Sequence, residues 1–213
     1  MDSRISGDQA QAAMAADGAR LVALKCRSGT ATAVVHRVFA NARVMRDGGI
    51  AFTYLLEGDL SRLCIPSWVT GGRADGLWQH TCFEAFVAAP GAAGYREFNF
   101  APSGDWADYA FARYRERIPV ANTHGPEVTV HMGEGRLEVD AIVTREHVPE
   151  DVSGAGWRIG LSAVIEDDGG VLSYWALEHP SGKPDFHHPD GFALLLQPPL
   201  PFGDTDAADG GRE

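Results

Sequence analysis

Cysteine is scarce in this sequence, and its spacing excludes the usual structural roles of the residue. The 213 residues contain three cysteines, Cys26, Cys64 and Cys82. They are odd in number, lie far apart and form no Cys-x-x-Cys pair, so a disulfide framework or a structural zinc site is not expected. We therefore predict that all three are small buried apolar side chains of a protein in a reducing compartment.

Long apolar runs and an excess of positive charge are also missing. No stretch approaches the roughly 18 apolar residues of a membrane span, and residues 1–20 lack an apolar core of signal-peptide length. Asp and Glu number 29 against 18 Lys and Arg, which gives a formal net charge of −11. Nucleic acids and anionic membranes favour basic surfaces, so we expect neither as a partner. Together these features predict a cytoplasmic protein.

Long helical patterns are rare, whereas short β-like runs are frequent. The best helical candidate is 105–118, where large side chains recur near helical spacing. The links 133–135 (GEG) and 167–170 (DDGG) have the composition of hairpin turns. The expected strands are 19–26, 32–45, 50–58, 80–88, 95–102, 127–133, 136–143, 157–167, 171–178 and 191–197. This pattern predicts an all-β antiparallel sandwich or barrel with one or two short helices.

The length of the chain fits one domain. Residues 1–18 are polar and rich in alanine, and residues 199–213 lack a core-forming pattern. We expect a flexible N-terminal segment over 1–18, the β domain over 19–198 and a disordered tail over 199–213.

Strand parity brings two carboxylates together. In an extended backbone, alternate residues share a face. One face of the run 78–86 therefore carries Trp78, His80, Cys82, Glu84 and Phe86. One face of the run 95–100 carries Tyr95, Glu97 and Asn99. If the two runs pair as a hairpin, Glu84 and Glu97 lie on the same side. Two carboxylates in a partly aromatic cavity raise one another's pKa, which is typical of functional sites. The alternative is that one glutamate faces solvent beside Arg96 or Arg115.

The segment 173–192 is dense in histidine, aromatic, charged and proline residues. Proline and glycine stiffen it, so we predict a rigid rim of a binding pocket. The side chains of this segment expected to contact a ligand are Tyr174, His179, Lys183, Asp185 and His187. Adjacent His187 and His188 point apart on an extended chain, and no familiar metal-binding spacing occurs, so no metal site is predicted. A catalytic pairing of His179 or His187 with Asp185 is the alternative.

Tryptophan and tyrosine rings can stack on the apolar faces of sugars. Trp78 follows the turn-rich segment 71–76, which makes it the tryptophan expected nearest to a binding edge. The other four tryptophans, Tyr95, Tyr109 and Tyr174 are further candidates, although a tryptophan is more often a core residue than a ligand platform.

Three segments together resemble the DOMON-like family of bacterial proteins, which is related to family 9 carbohydrate-binding modules. They are "LWQHTCFEAFV" (77–87), "YREFNFAPSGDWADYAFARYR" (95–115) and "LSYWALEHPSGKPDFHHPDGFALLL" (172–196). Ala101 stands where the family often has serine before the Pro-Ser-Gly turn. The resemblance extends over roughly residues 20–197, and it implies a β-sandwich of jelly-roll type. Related domains bind sugars or haem.

No cofactor is predicted. Haem would need axial ligands from facing strands, and His131 and Met132 are neighbours on opposite strand faces. No Asp-rich loop with calcium-binding spacing occurs either.

We consider three functions. The first is a non-enzymatic domain that binds a small polar ligand, such as a sugar, between two stacked sheets or at their mouth. Its predicted ligand-binding residues are Trp78, His80, Glu84, Tyr95, Glu97, Asn99, Tyr174, His179, Lys183, Asp185 and His187. The second is a hydrolase or lyase in which Glu84 or Glu97 works with His179 or His187. The third is an intracellular domain that docks another protein through an aromatic edge. The oligomeric state does not follow from the sequence.

Overall fold

The computed structural model describes residues 20–68, 71–120 and 124–198, and it contains two antiparallel sheets. The predicted flexible segment 1–18 and the predicted tail 199–213 lie outside the described residues. The five-stranded sheet consists of β1 (Val22–Ala23), β3 (Val35–Val44), β4 (Ile50–Gly58), β9 (Glu127–Gly133) and β10 (Arg136–Val143). Its strand order is β1-β3-β4-β10-β9.

The eight-stranded sheet carries the site described below. It consists of β2 (Lys25–Cys26), β5 (Cys82–Ala88), β6 (Tyr95–Phe100), β7 (Trp106–Arg113), β8 (Glu116–Ile118), β11 (Trp157–Glu166), β12 (Leu172–Ala176) and β13 (Leu194–Leu196). The order is β2-β12-β11-β5-β6-β7-β8, and β13 pairs with the start of β11. The predicted all-β sandwich class is confirmed, and the two predicted turns do join β9 to β10 and β11 to β12.

Helical structure in the described ranges is limited to four short 3-10 turns. They are Leu60–Arg62, Leu77–Gln79, Arg145–His147 and Pro189–Gly191. Nothing helical in these ranges has the length and apolar character that a membrane crossing requires.

The helix predicted over 105–118 is wrong, because this segment forms β7 and β8. β7 pairs with β6 along its length, from Phe111 opposite Tyr95 to Trp106 opposite Phe100. β8 then folds back onto β7. Trp106, Tyr109 and Tyr114 recur near helical spacing, whereas Tyr109 and Phe111 fit the alternation of a strand. The hydrogen-bonding edge of β6, which the local pattern does not include, favours the strand.

The main core lies between the two sheets. Along β5, Phe83, Ala85 and Val87 belong to this core, whereas Glu84 and Phe86 point to the opposite side. We call that opposite side, turned away from the five-stranded sheet, the outer face. Every residue of β5 is buried, so the outer face is also covered.

The cover over the outer face is the segment 177–193, which connects β12 to β13 and which we call the rim loop. Its residue Phe192 stacks on Phe86 with ring centroids 5.6 Å apart. Gly160 of β11 leaves room for this ring, because a Cβ there would lie 3.0 Å from Phe192 Cδ1. The Arg158 guanidinium donates to the carbonyl of Pro189 at 2.5 Å and fixes the same end of the loop.

The cysteines only partly follow the prediction of burial. Cys82 is fully buried and Cys26 is half-buried, but Cys64 is exposed, so the prediction is wrong for Cys64. The backbone explains this position. The Cys64 N–H donates to the carbonyl of Glu166, and its own carbonyl accepts from the Thr81 hydroxyl. The segment is therefore held by its main chain, and the side chain points outward.

A buried ion-pair cluster closes one side of the core. Asp108 accepts from Arg96 Nε at 3.0 Å and also from Arg96 Nη2, and His147 Nδ1 lies 2.7 Å from Asp108 Oδ2. His147 follows β10 of the five-stranded sheet, whereas Asp108 and Arg96 belong to β7 and β6. The cluster therefore links the two sheets.

Candidate functional site

A cavity of about 410 Å³ lies on the outer face of the eight-stranded sheet. Its volume is within the range of small-molecule sites, roughly 300–1,000 Å³. The ligand site is predicted between the sheets or at their mouth, and the cavity does not lie there. The space between the sheets is filled by core side chains. The lining residues are Trp78, Glu84, Glu97, Tyr109, Phe111, Arg115, Arg117, Val164, Tyr174, Pro184, Phe186 and His187.

Two buried carboxyl groups form the polar part of the floor. In the β5–β6 hairpin Glu84 lies opposite Asn99 and Phe86 lies opposite Glu97, so both glutamates share the outer face. Each is 4% exposed. Asn99 Nδ2 donates to Glu97 Oε1 at 2.7 Å. Glu84 Oε1, in contrast, has no hydrogen-bond partner within the described ranges.

Ser162 adds a second unpaired oxygen near Glu84. It lies directly opposite Glu84 in the pairing of β11 with β5, and it is 2% exposed. Its Oγ also lacks a partner among the residues that the structure describes. Buried polar groups in folded proteins are normally hydrogen-bonded. This part of the outer face therefore has hydrogen-bonding capacity that the fold does not use.

The two glutamates hold protons more tightly than ordinary carboxyl groups. Burial raises the pKa of Glu84 well above its usual value, and the negative charge of Glu97 raises it further, against the opposing effect of Arg115. Burial also raises the pKa of Glu97, although the hydrogen bond from Asn99 and the positive charges of Arg115 and Arg117 oppose the rise. The pair titrates as one unit, and it retains a proton at a pH where exposed carboxyl groups are ionised.

His187 lies beside this pair as a neutral imidazole. Burial, followed by the charge of Arg115, lowers the pKa of His187 to about 4. The Tyr95 hydroxyl accepts from the Arg115 N–H at 3.1 Å and lies 2.8 Å from His187 Nδ1, so we infer that Tyr95 donates to Nδ1. The remaining proton is then on Nε2, which lies 3.6 Å from Glu97 Oε2.

Asp185 fastens the rim loop to the β7–β8 turn. It accepts from the Tyr114 hydroxyl at 2.6 Å, from Arg115 Nη2 at 2.8 Å and from the His187 N–H at 3.2 Å. Burial alone would raise the pKa of Asp185, but the hydrogen bonds from Tyr114 and Arg115 hold it below the usual value. These hydrogen bonds within the protein therefore hold the loop against the β7–β8 turn.

Aromatic rings form the walls. Trp78 and Tyr109 meet edge to face with centroids 5.8 Å apart, and Trp78 is 41% exposed. The Tyr109 hydroxyl donates to Asp75 Oδ1 at 2.8 Å, which fixes the ring. Across the cavity Tyr174 and Phe186 pack at 6.3 Å. Ring faces of this kind suit the apolar C–H faces of a small cyclic ligand.

The residues predicted to bind a ligand fall into three groups. Five of them line the cavity: Trp78, Glu84, Glu97, Tyr174 and His187. Three support these side chains from behind: Tyr95, Asn99 and Asp185. Three lie elsewhere: His80, His179 and Lys183.

The three that lie elsewhere have physical reasons for doing so. His80 ends the 3-10 turn Leu77–Gln79 before β5 begins, so strand parity does not apply to it, and its Nδ1 lies 2.7 Å from Glu166 Oε2. His179 Nε2 donates to the carbonyl of Lys25 at 2.8 Å. Lys183 is exposed on the outside of the rim loop.

Several lining residues are absent from the predicted ligand-binding residues, chiefly Tyr109, Phe111, Arg115 and Arg117. All lie in the segment predicted as a helix. Read as a strand, its alternation places Tyr109 and Phe111 on the outer face, opposite Glu97 and Tyr95 of β6. The signal was present, but it needed the correct secondary structure.

Metal ligation has no candidate in the described part of the chain. Its residues include no cluster of three or more His, Cys, Asp or Glu side chains placed to hold a metal ion.

Comparisons with known proteins give a likeness of fold. No family model matches the chain, and no curated protein matches it. A solved structure that it does match is that of a proposed carbohydrate-binding protein from Bacteroides uniformis, with a TM-score of 0.52 and 16% sequence identity. The match covers 72% of this chain and 75% of that one. At this identity the likeness concerns the fold alone.

Proposed function

We propose that the protein is a non-enzymatic binding domain whose cavity holds a small carbohydrate-like ligand. The observation that carries the proposal is Glu84, a 4% exposed carboxyl group whose Oε1 has no partner in the described ranges. Leaving such a group unpaired costs about 1–3 kcal/mol. A ligand hydroxyl that bonds to Oε1 would recover this energy while its ring packs on Trp78 or Tyr174.

Two further points support a sugar as the ligand. The three quoted segments resemble the DOMON-like family and its carbohydrate-binding relatives, and the Bacteroides uniformis neighbour is itself proposed to bind carbohydrate. We propose direct ligand contacts for the lining residues Trp78, Glu84, Glu97, Tyr174 and His187. Tyr95, Asn99 and Asp185 position these groups.

Calorimetric titration with a panel of neutral and acidic mono- and disaccharides tests the proposal. We expect at least one sugar to bind the unmodified protein. The variant Glu84→Gln should weaken that binding about three- to tenfold, since a hydrogen bond to a neutral group contributes about 0.5–1.5 kcal/mol. The control Glu127→Gln changes an exposed glutamate of the five-stranded sheet and should bind as the unmodified protein does. Absence of heat with every sugar would contradict the proposal.

A second candidate function is acid–base hydrolysis of a glycosidic bond. It is favoured by one observation, the buried pair Glu84 and Glu97 with raised pKa values beside His187. Glycosidases use two carboxyl groups, one of them protonated, roughly 5–9.5 Å apart. Release of chromophore from aryl glycosides, lost in both Glu84→Gln and Glu97→Gln, would establish it. Sugar binding without any turnover would reject it.

A further inference from the structure

Two arginines from the β7–β8 hairpin lie at the cavity mouth, above a floor of carboxyl groups. Arg115 and Arg117 both line the cavity, and each side chain is 51% exposed. Arg113 of the same hairpin pairs with Glu116 at 2.5 Å, as Arg115 pairs with Asp185 at 2.8 Å, but Arg113 does not line the cavity. Of these three arginines, Arg115 and Arg117 therefore face the cavity and Arg113 does not.

The backbone at Arg115 is unusual. Its φ is 56°, the one positive value at a non-glycine residue in the described ranges. Arg115 is the second residue of a two-residue turn, since Arg113 pairs with Glu116. Glycine or asparagine adopts this conformation at less cost. Backbone strain is concentrated at functional sites, and here it accompanies a side chain that contacts Asp185 and lines the cavity.

Arg117 is held ready for a planar anionic group. Its guanidinium carbon lies 4.0 Å from the centroid of the Tyr109 ring. It forms an ion pair with Asp75, whose Oδ1 is 3.6 Å from Arg117 Nη2, a distance too long for a good hydrogen bond. A guanidinium stacked on an aromatic face keeps its N–H groups at the edge, in the fork that binds a carboxylate through two parallel hydrogen bonds.

The two ends of the cavity thus differ in chemistry. The floor offers Glu84 and Glu97 for hydroxyl groups, and the mouth offers Arg115 and Arg117 for an anion. We infer, on the basis of the function proposed above, that the ligand is an acidic sugar, a hexuronate or a short oligosaccharide that ends in one. Its hydroxyl groups face the floor, and its carboxylate is bound by the Arg117 guanidinium, while Arg115, whose Nη2 donates to Asp185 Oδ1 at 2.8 Å, adds positive charge beside it.

Paired titrations test this inference, with glucuronate against glucose and galacturonate against galactose. The uronate of one pair should bind about tenfold or more tightly than its neutral parent, the ratio expected for a charge-assisted bidentate contact. Arg117→Gln should remove most of this preference, measured as the ratio of uronate affinity to neutral-sugar affinity within the same variant. Arg113→Gln, the matched control, should retain the preference.

The outcomes separate this inference from the proposed function. If neutral sugars bind as tightly as uronates, or if Arg113→Gln lowers uronate affinity as much as Arg117→Gln does, the acidic-sugar inference is overturned and sugar binding stands. If no sugar of either kind binds, both fail. Arg117→Lys keeps the charge but loses the fork, so retention of the full preference in it would also contradict the bidentate contact. Thermal unfolding of each variant shows that a lost preference is not a lost fold.

Discussion

Asp108 and Glu84 are buried acidic residues on opposite faces of the same sheet, and they differ in the partners of their carboxyl groups. Asp108 is 1% exposed and its carboxylate is bound by Arg96 and His147. Glu84 is 4% exposed and its Oε1 has no partner in the described ranges. The first carboxylate is satisfied within the fold. The Glu84 carboxyl group is not required by the fold at its position.

The connections of the two residues show the same contrast. The Asp108 cluster joins β6 and β7 to the segment after β10, so it links the two sheets. At Glu84 it is the backbone that makes the link between sheets, because the Tyr54 hydroxyl donates to the Glu84 carbonyl at 2.7 Å. A glutamine or an apolar side chain at 84 would preserve this bond. We therefore interpret Asp108 as structural and the Glu84 side chain as functional.

The largest expected effect is the loss of the Asp108 cluster. Asp108→Ala should lower the free energy of unfolding by about 3–5 kcal/mol, because it leaves the partly buried Arg96 guanidinium and the buried His147 without their partner. Denaturant unfolding followed by tryptophan fluorescence measures the change. A loss below about 1 kcal/mol would erase the proposed difference between the two acids.

The counterpart is Glu84→Gln, which should affect binding and spare the fold. We expect sugar affinity to fall about three- to tenfold while the free energy of unfolding near neutral pH stays equal or rises, since an amide carries no cost of ionising a buried carboxyl group. Titration calorimetry and denaturant unfolding on the same samples give both numbers. A fall in stability as large as that of Asp108→Ala would show that Glu84 is also structural.

A smaller effect is expected on the pH dependence of stability, and it also distinguishes Glu84 from Asp108. Because the pKa of Glu84 is raised by burial and by Glu97, the folded protein keeps a proton that the unfolded chain releases. The contribution of this proton to the free energy of unfolding is therefore fully present below the ordinary carboxyl pKa, about 4.3. It is lost as the pH rises through the pKa of Glu84 in the folded protein.

The difference in unfolding free energy between Glu84→Gln and the unmodified protein should consequently grow as the pH rises above about 4.3. The pKa of His187 is lowered to about 4, so this residue makes the free energy of unfolding rise with pH between about 4 and its ordinary pKa. Because His187 is present in both proteins, its effect largely cancels in the difference. Unfolding curves at several pH values measure the difference. Glu127→Gln is the control, and a difference that stays flat with pH would count against a proton-holding pair.

The smallest effects are expected at predicted site residues that lie outside the cavity. Lys183→Ala and His80→Ala should change stability by no more than about 0.5 kcal/mol and leave sugar affinity unaltered. Both side chains are mainly exposed, and neither lines the cavity. A clear loss of affinity in either variant would mean that the binding surface extends beyond the lining described above.

Much of the fold was predictable because its strands alternate clearly and are separated by glycine, proline and aspartate. The β5–β6 hairpin shows how far this reaches: parity alone brought Glu84 and Glu97 to one face, as the register shows. The arginines at the mouth were not predictable. Arg115 depends on a turn conformation rare for arginine, and Arg117 depends on a strand whose pattern also fits a helix.

His80 illustrates a different limit of the sequence. Alternation assigns it to the face of Glu84, but the strand begins only at Cys82, and the 3-10 turn before it changes the direction of the side chain. Parity arguments hold within a strand, and the end of a strand depends on tertiary packing.

A structure with the best-binding sugar of the panel tests the central claim most directly. We predict a ligand oxygen within hydrogen-bonding distance of Glu84 Oε1 and a sugar ring against Trp78 or Tyr174. A ligand bound on another surface, with Glu84 still unpaired at the bottom of an empty cavity, would contradict the account.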